Sequence, residues 1–125
     1  MIVGTGIDIA EPERLEAATR RRGRRFLERV FTPAERTYCD RRRNKWERYA
    51  ARFAAKEAAF KALGTGWRQG VHWQEVELIN QPAGQPTLKL TGQAKKLADR
   101  LGVQHISVSI SHTPQFVLAQ VIFES

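Results

Sequence analysis

Residues 46–63 read WERYAARFAAKEAAFKAL, a run dominated by strong helix formers and stopped by Gly64 and Gly66. At 1.5 Å per residue it predicts one helix of about 27 Å, around which the rest of a short chain must be arranged. With 100° between neighbours, Trp46, Tyr49, Phe53 and Phe60 fall on one narrow stripe, which reads as core. Glu57 falls at the edge of that stripe, with Lys61 one turn further on the same side. Arg52 and Lys56 flank the opposite side. An exposed Glu–Lys pair at this spacing contributes only about 0.3–0.5 kcal/mol. The edge position instead tends to desolvate the carboxylate, which favours a partner or a cation.

The segments before the helix mix one strand with short helices. Residues 2–9 read as a strand, and Pro12 suits the first turn of a helix continuing through residues 13–20. Gly23 breaks the basic run, and FLERVF (26–31) reads as a short amphipathic helix. TPAE (32–35) is a helix start, with Thr32 as N-cap, Pro33 at the first helical position and Glu35 three residues after the cap. That helix runs to about Asp40.

After Gly66 the period changes. VHWQEVELI (71–79) alternates like a strand, and QPAGQP (81–86) turns into TLKL (87–90). TGQAKKLADRLG (91–102) reads as a helix with Thr91 as N-cap and Gly102 as its stop. HISVSISH (105–112) and FVLAQVIFE (116–124) form a hairpin. The expected architecture is one α+β domain over 1–125, with a mainly antiparallel sheet and a long central helix.

Two further segments could carry chemistry. In the first strand Gly4, Gly6 and Asp8 share one face, and two glycines beside a carboxylate let something approach the backbone. Asp8 reads either as an N-cap for the helix beginning near Pro12 or as a metal-binding or catalytic carboxylate. In SVSISHT (107–113), Ser107, Ser109 and Ser111 share one strand face, while Val108, Ile110 and His112 share the other. His112 reads either as a satisfied core histidine or as a ligand.

Charge and cysteine usage narrow the function classes. Cys39 is the single cysteine, which excludes an intramolecular disulfide framework and a multi-cysteine metal cluster. There is no apolar run of the ~20 residues that a membrane span needs, and MIVGTGIDIA is not a signal peptide. A cytoplasmic protein is expected. The net charge of +8 arises within residues 14–48, which hold 13 Arg/Lys against 5 Asp/Glu. Such a localised basic face raises the encounter rate with an anionic partner.

Taken together, GTGIDI (4–9), RFLERVFTPAE (25–35), RFAAKEAAFKALGTG (52–66) and SVSISHT (107–113) resemble the holo-[acyl-carrier-protein] synthase family. These are the small bacterial 4′-phosphopantetheinyl transferases, and the resemblance spans essentially the whole chain. Pro12 and the dense arginine block at 20–25 depart from the family's pattern.

The resemblance implies transfer of phosphopantetheine from coenzyme A to a serine of acyl carrier protein, in support of fatty acid biosynthesis. It implies Mg²⁺ held by Asp8 and Glu57, with Glu57 and Lys61 as the catalytic pair and either Glu57 or a metal-bound water as base. Arg52, Lys61, Gly64, Gly66 and His112 are implied to bind coenzyme A. Arg14, Arg20, Arg21 and Arg24 are implied to dock the acidic carrier, and a homotrimer with sites between subunits is implied as the assembly. A nucleic-acid-binding domain is the competing reading of the same charge. It predicts salt-steep affinity for DNA or RNA and leaves Asp8, Glu57 and His112 unexplained.

Overall fold

The computed structural model describes residues 1–64 and 70–125; Thr65, Gly66 and the three residues after them lie outside the described residues. The order is β1 (Ile2–Ala10), α1 (Pro12–Arg22), α2 (Arg24–Val30), α3 (Pro33–Asp40), α4 (Lys45–Leu63), β2 (Val76–Asn80), β3 (Pro86–Leu90), α5 (Gly92–Leu101), β4 (His105–His112) and β5 (Val117–Glu124). The strands form two sheets, β1-β5-β4 and β2-β3, with every pairing antiparallel. The expected α+β architecture around a long helix is what the chain adopts.

The β5 strand lies at the centre of the larger sheet and shows a period of two. Val117, Ala119, Val121 and Phe123 are buried, while Leu118 and Gln120 between them are exposed. The buried row faces α4, whose Ala54, Ala55, Ala58, Ala59 and Ala62 are all buried as well.

Small residues let this helix come unusually close to β1. A methyl group built on Gly6 would lie 1.8 Å from the Ala58 carbonyl oxygen, and one on Gly4 would lie 2.2 Å from that of Ala62. The space that the two glycines clear is therefore filled by the backbone of α4. This contact carries Asp8, two residues past Gly6 on the same face, up to the helix.

The far side of α4 is tied down by a buried ion pair. Lys56 is wholly buried, with its Nζ 2.8 Å from Glu35 Oε1, and it donates to the carbonyl oxygens of Trp73, at 3.0 Å, and Val76. Glu35 accepts in turn from the backbone N–H groups of Thr32 and Leu78, both at 2.9 Å. The capping box expected at Thr32 and Glu35 is present in both directions. Its carboxylate thus caps α3 and balances the buried ammonium at once. Burial pushes the Lys56 ammonium below its ordinary range, against the opposing pull of Glu35.

One expected strand is shorter than its pattern. Over 71–79 the chain makes a 3₁₀ turn at Trp73–Glu75 before β2 begins at Val76. The cause is Glu75, whose carboxylate accepts from His72 N at 2.9 Å and from Gln93 N at 3.0 Å. Thr91 stands at the N-cap of α5 as expected, but its side chain makes no capping bond there. Glu75 takes that role from a distance.

Candidate active site

The contact between β1 and α4 brings three of the expected residues together. Lys61 Nζ donates to the Ile7 carbonyl at 2.9 Å and lies 3.1 Å from Asp8 Oδ1. Glu57, one turn earlier on α4, is half-buried. Burial pushes its carboxyl above the ordinary range, the charge of Asp8 pushes it further, and Lys61 opposes both. Two carboxylates thus stand at one spot beside a single ammonium.

Several of the alternatives left open by the sequence are settled by this geometry. Lys61 pairs with Asp8 across the strand, not with Glu57 along the helix. Asp8 is not a helix cap, because the N-cap of α1 is Glu11, which makes no side-chain capping bond. The Lys61 side chain is 53% exposed, so its pair with Asp8 is weak and readily exchanged for other charges. Among the described residues no group of three or more His, Cys, Asp or Glu is placed to hold a metal ion. Asp8 and Glu57 together could hold a hard cation that keeps waters or phosphate oxygens in its other positions.

The remaining residues lie elsewhere. Arg52 is about 140° around α4 from Glu57. It lines a cavity of about 420 Å³ with Tyr38, Arg48, Ser109 and His112. His112 is exposed, with Nδ1 3.1 Å from Glu47 Oε1, so it is not a core histidine. Glu47 and Lys61 are separated by about 21 Å of helix. The two groups therefore sit at opposite edges of the larger sheet, Asp8 on β1 and His112 on β4.

Gly64 terminates α4 at φ +81°, a conformation that glycine adopts without strain. Its N–H already donates to the carbonyls of Phe60 and Lys61, at 3.2 and 3.0 Å. Gly66 lies outside the described residues.

The basic face is only partly free. Arg14 lies 3.5 Å from Glu11, Arg20 lies 2.5 Å from Glu16, and Arg24 lies 2.6 Å from Asp40. Asp40 also accepts from the hydroxyl of buried Tyr49, at 2.8 Å, so Arg24 helps fasten α2 to α4. Arg21 is exposed. Beside α1 runs a groove of about 310 Å³ whose lining includes Ile9, Arg14, Leu15, Phe26 and Phe53, beginning one residue past Asp8.

Sequence reasoning missed three residues of these sites. Arg48 stands one turn before Arg52, and that spacing alone could have placed it in the cavity. Glu47 and Tyr38 were not marked out as site residues, since His112 reaches Glu47 from β4 and Arg52 reaches Tyr38 from α4.

Comparison with known proteins identifies the family and the fold. The model of the 4′-phosphopantetheinyl transferase superfamily matches residues 4–121. The chain is 53% identical over 125 residues to a holo-[acyl-carrier-protein] synthase of Solibacter usitatus, with all of both chains covered. It is 51% identical over 124 residues to one of Koribacter versatilis, covering 99% of each. The crystal structure of holo-[acyl-carrier-protein] synthase from Neisseria meningitidis matches with a TM-score of 0.90 at 33% identity, over 100% of both chains. That of the Helicobacter pylori synthase in complex with coenzyme A matches with a TM-score of 0.83 at 32% identity, covering 96% of this chain and 99% of that one.

Proposed function

The chain belongs to the holo-[acyl-carrier-protein] synthase family of the 4′-phosphopantetheinyl transferase superfamily, and on that premise we propose its reaction. It transfers the 4′-phosphopantetheine arm of coenzyme A to a serine of an apo-acyl carrier protein and releases adenosine 3′,5′-bisphosphate. The serine oxygen forms a bond to the β-phosphorus, the bond from that phosphorus to the bridging oxygen breaks, and the nucleotide leaves. The observation that carries this reading is the convergence of Asp8, Glu57 and Lys61 where β1 meets α4.

Asp8 and Glu57 are the residues that would hold Mg²⁺. The donor set fits, because burial first and the Asp8 charge second make the Glu57 carboxylate costly to hold as an anion, and a cation beside it relieves both. When bound, Mg²⁺ screens the pyrophosphate charge and orients the phosphate for in-line displacement. Lys61 neutralises the pyrophosphate once it releases Asp8, and it can hand a proton to the leaving phosphate. Glu57, with its raised affinity for protons, can accept the serine proton directly or through a water. Arg52, His112, Gly64 and Gly66 hold the nucleotide end of coenzyme A.

The carrier docks along α1. Arg14 and Arg21 offer charge to an acidic partner, with Arg20 and Arg24 on the flank, and the groove beside α1 offers apolar surface leading toward Asp8. The assembly is a homotrimer, in which the β1 edge of one copy faces the β4 edge of the next. Ile7, Ile9 and Leu118 are exposed on the sheet face away from α4, as suits burial between copies. No described helix is long and apolar enough to cross a membrane, and we place the enzyme in the cytoplasm as a single catalytic domain serving fatty acid biosynthesis.

The test is incubation with coenzyme A, Mg²⁺ and an apo-acyl carrier protein, read by mass spectrometry. The carrier gains the mass of one phosphopantetheine group, and omission of Mg²⁺ abolishes the gain. An unmodified carrier under these conditions overturns the proposal, and salt-sensitive binding of DNA or RNA in its place would favour the nucleic-acid reading.

A further inference from the structure

Arg52 raises a question that its own contacts do not answer. It is 5% exposed and its Nε is buried without a hydrogen-bond partner. Its Nη1 reaches the Arg48 carbonyl at only 3.5 Å. Among the described residues no carboxylate forms an ion pair with it, and its neighbours Arg48 and Lys56 carry the same charge. A desolvated guanidinium among like charges needs something to hold it.

What it touches is an aromatic ring. The Arg52 guanidinium carbon lies 4.1 Å from the centre of the Tyr38 ring, and that of Arg42 lies 3.4 Å from the same centre. Two guanidinium groups this close to one centre would collide on the same face, so they occupy opposite faces. Arg42 is in turn anchored by donating Nη1–H to the Tyr38 carbonyl at 2.8 Å. The ring is clamped from behind and offers its front to Arg52.

We propose that Tyr38 is a positioning residue for coenzyme A binding: its ring, backed by Arg42, holds the Arg52 guanidinium in the cavity it shares with Arg48 and His112. A carboxylate in that place would hold the cation too, but it would occupy the donors and cancel the charge meant for a phosphate. An aromatic face attracts a cation without accepting its in-plane N–H groups. Stacking therefore fixes Arg52 at the cavity wall while leaving its in-plane N–H groups without a carboxylate partner. This inference rests on the reading that Arg52 binds the nucleotide end of coenzyme A.

Steady-state kinetics on the full-length enzyme, varying coenzyme A and carrier separately, tests it. Tyr38→Leu raises the KM for coenzyme A by about 5- to 10-fold, with kcat and the carrier KM near wild type. Tyr38→Phe keeps the ring and stays within about 2-fold of wild type. Arg42→Ala, at the ring's back and away from the core, raises the same KM by about 2- to 3-fold and decides the matter if Tyr38→Leu fails to fold. In an Arg52→Gln background, Tyr38→Leu adds nothing further, because the two act through one contact.

If Arg52→Gln leaves the coenzyme A KM unchanged, the nucleotide reading of the cavity fails, and this inference fails with it. If Arg52→Gln raises that KM while Tyr38→Leu and Arg42→Ala do not, the cavity reading stands and the role of Tyr38 is wrong. An effect of Tyr38→Leu that is additive with Arg52→Gln, or a Tyr38→Phe as impaired as Tyr38→Leu, also overturns it.

Discussion

At the β1 edge of the larger sheet the charged groups are of both signs: two carboxylates meet one ammonium, of which the ammonium is the most exposed. At the β4 edge the cavity is lined by Arg48, Arg52 and His112, and its innermost cation rests on an aromatic ring. The first arrangement suits exchange, because its weak ion pair can be replaced by a cation and a phosphate. The second suits retention, since a fixed positive charge waits for an anion. About 21 Å of α4 separates the Glu47 and Lys61 ends of these two regions. Whether one chemistry uses both edges, from one chain or from two, is a question that mixing variants of the two regions can decide.

The largest effects are expected at the exchange edge. Asp8→Ala and Glu57→Ala should each lower phosphopantetheine transfer by about 10³-fold or more. The double variant should be little worse than either single one, as for residues acting through one ion. Lys61→Ala should lower kcat by about 10²-fold with a smaller change in the KM for coenzyme A, and Lys61→Arg should recover only part of the loss. Near-normal turnover in any of these alanine variants would return that residue to a surface role.

A mixing experiment tests whether the two edges meet between copies. Glu57→Ala lacks one edge, and the Arg52→Gln/His112→Ala double variant lacks the other. Co-refolding them in equal amounts should restore about one quarter of wild-type activity, because an interface drawn at random joins two intact edges one time in four. If both edges serve one site within a single chain, the mixture shows no more than the average of its components.

The fold was more legible in the sequence than this division of the site. The long helix, the capping box at Thr32 and the closing hairpin follow from local rules, and they formed as read. Glu57 and Lys61 were singled out from their spacing along one helix, and Lys61's actual partner, Asp8, lies 53 residues away. Lys56 read as flanking the aromatic stripe, yet it is wholly buried, because Glu35 arrives from α3 to balance it. Gly4 and Gly6 announced a close approach but not what approaches. In each case the missing information was a long-range partner, which periodicity does not encode.

A smaller effect sharpens the contrast in stability. The Glu57 carboxyl titrates above its ordinary range, so the folded chain holds a proton there that the unfolded chain has lost. Glu57 therefore lowers stability as the pH rises from the ordinary glutamate range through its raised value, and the loss persists above it. In the absence of divalent cations, Glu57→Gln should melt at a slightly higher temperature than wild type at pH 7, with the difference vanishing toward pH 4. An Arg52→Gln variant should show no such pH-linked gain. Equal melting of Glu57→Gln and wild type at both pH values would mean that the carboxylate is not under strain.

The smallest effect concerns the carrier. Arg21→Glu should raise the carrier KM by roughly 3- to 10-fold at low salt and leave the KM for coenzyme A nearly unchanged. The gap between variant and wild type should narrow as ionic strength rises. A carrier KM indifferent to both the substitution and the salt would remove α1 as the docking surface.

The pairing of β1 with β5 also governs when the enzyme can form. Asp8 stands opposite Ala119, and every pair along these two strands joins residues more than a hundred positions apart. Closing so long a loop carries a large entropic cost before any contact rewards it, which slows folding of such topologies. During synthesis β1 leaves the ribosome more than a hundred residues before its partner strand. Until β5 arrives, β1 is an unpaired edge, with Ile7 and Ile9 on one face and the bare glycines on the other. The carboxylate of Asp8 then has no fixed place beside α4. The nascent chain thus exposes this edge until β5 is made, and its capacity for chemistry waits on that strand.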